Sequence, residues 1–469
     1  MKNFLTIIPV LFFQMLFAQE NKLPIKSYRF DQDLLPKEFH AQRRQALRKL
    51  LPEKSVSIFF SNPVRNRSND VDYEYHQNPN LYYLTGHLEP HSVLFIFKDS
   101  LQVNGARTNE IFLTPPRDSA SELWTGRILG PTDATEILGI GSVYSNEIID
   151  SMAFAFATIE NILFENFPVA EDDPDSDFDL FDLENKLKNR LAEKKIAFVP
   201  SKSIRKAMAQ LREIKQPEEI KIMRRAIDLS CEAHNELIRS LHLGMNEYQA
   251  QSILEYKFKN GGGESIGYPS IVGGNENACV LHYTLNRKPL YETDLLLVDA
   301  GAEYHGYTAD ITRTLPIRGT FSQEQKEIYE IVLAAQEAGI KKCLSGRPFN
   351  SAHLEAVKVI GEGLKKLGII KKESEYKSYF MHGTSHYLGL DVHDAGLRDE
   401  LKPGNIITVE PGIYIPEGSS CDPKWWNIGI RIEDDILITD HEPEVLSGSI
   451  PRKVNEIEDL MKEIGYFEK

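Results

Sequence analysis

LLLVDAGAEYHGYTADITRT, residues 295–314, reads as two apolar strand segments that turn back at EYHG, and it puts two acids where such strands ordinarily carry none. Asp299 closes the run Leu295–Val298, and Asp310 opens ITRT. A carboxylate at the end of an apolar strand is costly to bury without a partner. Side chains alternate across a strand, so Asp310, Thr312 and Thr314 share one face. The same pattern recurs further along the chain. In NIITVEPGIYI (405–415), Glu410 ends an apolar run just before Pro411-Gly412. In NIGIRIEDDILIT (427–439), Ile428, Ile430 and Ile432 take one face, and Gly429, Arg431 and Glu433 take the other. Each acid alone is ordinarily solvated or salt-bridged. Two hairpins set face to face would gather all four carboxylates around one point.

Four carboxylates carry −4, two divalent cations carry +4, and one neutral histidine completes a shell without disturbing that balance. Oxygen-rich ligation with a single imidazole favours hard divalent ions, manganese first, with cobalt, iron and zinc as alternatives. Two such ions could hold a hydroxide between them and polarise a carbonyl, the equipment for amide hydrolysis. The histidine comes from MHGTSHYLGLDVHD (381–394), which offers His382, His386 and His393. The first two have the spacing of a helical zinc motif, but Gly383 stands where that motif has glutamate, and Gly389 argues against a regular helix. Spacing alone leaves the choice among the three open. Arg431 shares a strand face with Glu433 and can orient a carboxylate or touch substrate.

The rest of the chain frames this block. It has 469 residues, 41% apolar and 26% charged, enough for two or three domains. Its net charge of −15 argues against nucleic acid and anionic membranes as partners. Residues 1–18, at the head of MKNFLTIIPVLFFQMLFAQE, read as a secretory signal peptide: one Lys, a short apolar core, then Ala18. Export to the periplasm or the medium is the expectation. Four scattered cysteines form no disulfide framework and have no metal spacing; they read as mostly buried thiols with at most one bridge. Residues 28–200 read as an α/β domain, with SVSIFF, SVLFIF and EIFLT as strands and QRRQALRKLL in a helix. Its acidic stretch 171–184 puts Asp173, Asp175, Asp177, Asp179 and Glu184 at calcium-loop positions, but Phe178 replaces the required glycine. A solvated surface loop is the reading preferred there. A helical run broken at Pro217 then leads into residues 215–469, where helices alternate with long strands.

VDAG, ADITRT, HGTSH, TVEPG and GIRIEDD, in this order, resemble the pita-bread metallopeptidases, most closely their aminopeptidase P branch. LHYT (281–284), GLDVHD, FHAQRRQALRKL, YEYHQNPNLYYLTGHLEP and SELWTGRILG are similar to that branch as well. The resemblance implies an α+β chain: an N-terminal α/β, creatinase-like domain followed by a C-terminal pita-bread catalytic domain. It implies Asp299, Asp310, His386, Glu410 and Glu433 as ligands of two metal ions, with Asp310 and Glu433 bridging. It also implies His393 and His282 as histidines that contact substrate and move protons, and Glu410 as acceptor of the proton leaving water. His382 matches a residue of the pocket after the cut. Trp124 matches an aromatic that approaches a neighbouring subunit's active site, although an ordinary core tryptophan is an equal reading. The implied activity is removal of the residue preceding proline from proline-containing peptides, by a homo-oligomer. Two alternatives stand beside it: a prolidase acting on Xaa-Pro dipeptides, whose members tend to read HGLGH and HYG, and a non-enzymatic peptide-binding module on the same fold. Relatives of the second kind lose metal ligands, as do creatinase-like hydrolases, whereas this chain keeps five.

Overall fold

The computed structural model describes residues 30–103, 105–150, 159–165, 179–193 and 200–468. The expected signal peptide therefore lies outside the described residues, as does the acidic stretch up to Phe178. From Asp179 onward that stretch is not a loop. Asp179 is buried and accepts from Asp182 N at 2.9 Å, which starts the helix Leu180–Glu193. Leu180 and Leu183 anchor this helix in the core, so apolar burial overrides the acidic composition here.

The N-terminal domain is built on a five-stranded mixed sheet in the order 143–145, 106–114, 93–103, 55–60, 161–164. The central strand Val93–Val103 is antiparallel to both neighbours, and the two edge strands are parallel to theirs. Strand Ser55–Phe60, expected as a strand, is buried along its whole length, Ser55 and Ser57 included. Helix Lys37–Leu50 covers one face through Phe39, His40, Arg44 and Leu47.

Helix Lys202–Arg212 leads out of this domain, and helix Pro217–Ser240 opens the next. Pro217 sits at the first turn, where its missing N–H costs nothing, and Glu219 reaches back to Gln216 N at 2.8 Å. Ile204 and Met208 from the first helix, Ile222 and Met223 from the second, and Tyr307, Leu388 and Ile406 further on share one core with Phe39 and Tyr82. The two domains are thus packed across a continuous apolar seam.

The long strands expected beyond residue 215 are broken into short pieces. In the first hairpin Leu295–Asp299 pairs with Thr312–Pro316, and Ala302–Tyr304 pairs with Tyr307–Thr308. The turn is where EYHG placed it: His305 and Gly306 both adopt positive φ, 49° and 79°, as a tight two-residue hairpin requires. Between the two pieces the chain kinks at Gly301, where a Cβ would lie 1.9 Å from Ala309 O. In the second hairpin Ile406–Val409 pairs with Asp434–Leu437 and Gly412–Ile415 with Ile428–Arg431, with the break at Glu410-Pro411. The hairpins meet where Glu433 N donates to Thr312 O at 3.1 Å and Thr314 Oγ1 to Arg431 O at 3.1 Å. Helices Gln323–Ile340 and Ser351–Lys366 pack together on the outside. Among the described residues no helix is long and apolar enough to cross a membrane. All four cysteines are free thiols; Cys231 and Cys343 are buried.

Candidate metal centre and peptide cavity

The kinks decide where the acids point. Asp299 ends its strand at the first kink, Asp310 follows the same kink on the return strand, and Glu410 and Glu433 flank the second. A third segment completes the ring. Residues 381–394 are not helical but run beside strand Ile406–Val409: Thr408 N donates to His386 O at 3.0 Å and Glu410 N to Thr384 O at 2.9 Å. This backbone pairing aims His386 at the acids.

Asp310, His386 and Glu433 bring donor atoms within 4.8 Å of one another. His386 Nε2 lies 3.3 Å from Asp310 Oδ2 and 3.5 Å from Glu410 Oε1. Its other nitrogen, Nδ1, faces Tyr387 O at 3.0 Å, the arrangement that frees Nε2 to bind a metal. Asp299 is turned a little aside: Arg431 Nη2 donates to its Oδ2 at 2.5 Å, and Tyr268 hydroxyl stands 2.6 Å from both Asp299 Oδ1 and Asp310 Oδ1. All five expected ligands therefore converge; His382 Nδ1 reaches only Glu410, at 3.5 Å, whereas His386 faces Asp310 and Glu433 as well.

The electrostatics are those of a site short of positive charge. Burial and the charge of Asp299 hold the Asp310 carboxyl above its ordinary value, with His386 and Tyr268 opposing. Burial pushes Glu410 up to about 7, with His386 opposing and Asp310 adding to the rise. Burial and the charges of Asp310, Glu410 and Asp299 drive Glu433 well above the carboxylate range. Burial works against a charge on His386, yet Asp310 and Glu410 raise it to about 9. Protons here stand in for missing cations. Buried oxygen donors around one imidazole, with Asp310, Glu410 and Glu433 raised by burial and mutual repulsion, fit divalent metal ions as counter-charge.

Sequence reasoning missed three contributors. Asp435 is fully buried, accepts from Asp310 N at 3.2 Å through Oδ2, and leaves Oδ1 without a hydrogen-bond partner. Strand alternation could have found it, because it lies two residues beyond Glu433. Burial and the charge of Asp310 drive its carboxyl well above the ordinary carboxylate range. Tyr268 sits in the loop Gly267–Ser270, where no period marks it. Tyr414 takes hydrogen bonds with Arg431 Nη1 at 2.9 Å and His382 Nε2 at 2.8 Å. Thr312, on the face read for it, donates to Glu433 Oε2 at 2.5 Å.

A cavity of about 660 Å³ opens over these groups and is lined also by His282, His382, His393 and Arg398. The His393 ring lies 4.2 Å from that of His386, centroid to centroid. Burial lowers His382 and His393 to about 4; Arg431 adds to the first effect, and His386 and His282 to the second. Two neutral imidazoles thus border a cluster of acids. Trp124 lies elsewhere, on helix Ser119–Thr125 of the N-terminal domain, and is 90% exposed beside Leu123. The core reading of Trp124 is therefore wrong: seven residues of surface helix bury no side chain.

Comparison with known proteins bears on both domains. The sequence matches "Aminopeptidase P, N-terminal domain" over residues 40–161 and "Metallopeptidase family M24" over residues 221–440. It is 35% identical over 437 residues to the Xaa-Pro aminopeptidase of Escherichia coli (strain K12), covering 90% of this chain and 96% of that one. It is also 35% identical over 439 residues to the Haemophilus influenzae enzyme of the same name, covering 91% and 98%. The solved structure of E. coli aminopeptidase P with the inhibitor Pro-Leu superposes with a TM-score of 0.82, at 35% identity, over 91% of this chain and 98% of that one.

Proposed function

Since this chain belongs to metallopeptidase family M24, in its aminopeptidase P branch, we propose that it removes the N-terminal residue from peptides whose second residue is proline. The observation that carries the reading is the convergence of Asp299, Asp310, His386, Glu410 and Glu433 from two kinked hairpins and one extended segment on the floor of a peptide-sized cavity. These five would hold two divalent ions, manganese by preference. The ions supply Lewis acidity toward a water and toward the scissile carbonyl.

The chain's own residues do the rest. Glu410, among the acids on the cavity floor, takes the proton that leaves the attacking water and is placed to return it to the departing nitrogen. His393 and His282, on the cavity wall, hydrogen-bond the substrate beside the scissile amide; His393 does so as a neutral imidazole. His382, Tyr414 and Arg431 form a bonded chain that suits the wall facing the proline ring. An Xaa-Pro amide has no N–H and a locked ring, so a shaped wall can select it where an N–H acceptor cannot. Trp124 and Leu123 fit a subunit contact in a homo-oligomer. The N-terminal leader supports export to the periplasm or medium, tested by the mass of the mature N-terminus in cell fractions.

The metal reading is tested by titrating manganese into chelator-stripped protein by calorimetry. Two ions per chain are expected, and no binding above background sinks it.

A further inference from the structure

The loop that carries His393 is held from behind by a buried ionic knot that the proposed chemistry leaves unused. Asp394, the next residue, has a side chain 2% exposed and pairs with Arg212, itself 4% exposed, and with Lys215 Nζ at 2.7 Å. Arg212 donates further to Asp391 Oδ2 at 2.8 Å and to Asn80 Oδ1, in the N-terminal domain, at 2.9 Å. Burial alone would raise the Asp394 carboxyl, but Arg212 and Lys215 together hold it below its ordinary value. The knot leaves no slack: a Cβ on Gly389 would lie 2.1 Å from Asp394 Oδ2 and 2.9 Å from Lys215 Cε.

The backbone carries this anchorage into the cavity. Asp394 N donates to Tyr387 O at 2.9 Å, and the same carbonyl faces His386 Nδ1 at 3.0 Å. Residues 387–394 therefore form a closed loop whose neck touches the imidazole among the acids. His393 sits at that neck, its ring against that of His386. Any shift of Asp394 moves its neighbour His393 directly.

We propose that Arg212 and Asp394 are positioning residues: together they lock His393 in register with His386, with Arg212 as the strut that ties this loop to the N-terminal domain through Asn80. The proposal rests on the role given to His393 above.

The test is a four-protein cycle on the metal-loaded enzyme: wild type, Asp394→Asn, His393→Ala and the double variant, each assayed for kcat, KM and bound metal on an Xaa-Pro-Yaa peptide. Asp394→Asn keeps shape and loses charge. It should lower kcat about 10- to 100-fold, as misplacing a catalytic group does, with KM within about threefold and metal content unchanged. In the double variant the loss should be no greater than in His393→Ala alone, which a merely structural role would not produce. Multiplying losses, or wild-type kcat in folded Asp394→Asn, would overturn the proposal. Wild-type kcat in His393→Ala would instead remove the role of His393, and the proposal with it. If Asp394→Asn does not fold, Arg212→Lys replaces it in the cycle with the same two outcomes, since it keeps the charge but loses the forked contact to Asn80 and Asp391.

Discussion

At the scale of single residues, the site is a set of ionisable groups pushed apart by their surroundings. His386 is drawn up by Asp310 and Glu410, while His382 and His393, a few residues away in sequence, are driven down by burial. Three histidines in one short stretch thus sit in different electrostatic surroundings. Asp310 lies among the donor atoms of His386 and Glu433, so Asp310→Ala should abolish both manganese binding and turnover while far-UV dichroism stays near wild type; substantial turnover would reject its role as a metal ligand. His393→Ala should keep its metal and lose about 100-fold or more in kcat, the usual worth of a group that moves a proton or steadies one. Metal loss in that variant would mean that the ligand histidine has been misassigned. Asp299, Glu410 and Glu433 were legible because a charge in an apolar strand is conspicuous. Tyr268 was not, because a tyrosine in an irregular loop departs from no pattern, and only the fold brings its hydroxyl to Asp299 and Asp310.

At the scale of elements, two kinked hairpins do the positioning. Alternation predicted which residues share a face, and the turn at His305-Gly306 followed from the sequence EYHG. The breaks were not legible, since an apolar run does not reveal where a strand bends to aim its last carboxylate. Gly301 makes the first break feasible. Gly301→Ala would force a methyl to 1.9 Å from Ala309 O, so the hairpin must open or shift. The expected cost is about 2–4 kcal/mol, the range for a steric insertion in a tightly packed site. Manganese affinity should fall with it, read by thermal melting and metal titration on the same sample. A melting temperature and affinity equal to wild type would show that the kink does not depend on this glycine. The segment 381–394 taught the opposite lesson: two glycines correctly argued against a helix, and backbone pairing with strand Ile406–Val409 took the helix's place.

At the scale of the whole molecule, the two domains are joined by the shared apolar core, by the Arg212 knot, and by a clasp at the tip of the first hairpin. His305 stands between two carboxylates, Asp33 Oδ1 at 2.8 Å and Glu264 Oε1 at 2.7 Å, and Tyr304 hydroxyl donates to Asp33 Oδ2 at 2.7 Å. Burial disfavours a charged His305, but these two partners raise its pKa above the ordinary 6.5. A raised histidine stabilises the folded state fully below the unfolded pKa, and that stability is lost as pH climbs through the raised folded value. With both carboxylates part-exposed and screened, His305→Gln should cost about 0.5–1 kcal/mol at pH 6 and much less at pH 9. Equal losses in denaturant melts at the two pH values would contradict the clasp. Assembly is the level the sequence shows least: exposed Trp124 and Leu123 become meaningful only once their helix is seen to bury nothing. Trp124→Ala should leave the melting temperature within about 1 °C, as surface substitutions do, while shifting the oligomer on size-exclusion chromatography; an unchanged elution profile would detach this face from assembly. The most direct test of the central claim is a single assay. Purified protein is stripped with chelator, reloaded with manganese, and given an Xaa-Pro-Yaa tripeptide, the Xaa-Pro dipeptide, and the tripeptide with alanine in place of proline. Manganese-dependent cleavage of the proline tripeptide alone is predicted. Cleavage of the dipeptide alone, or of no peptide with any divalent metal, would contradict it.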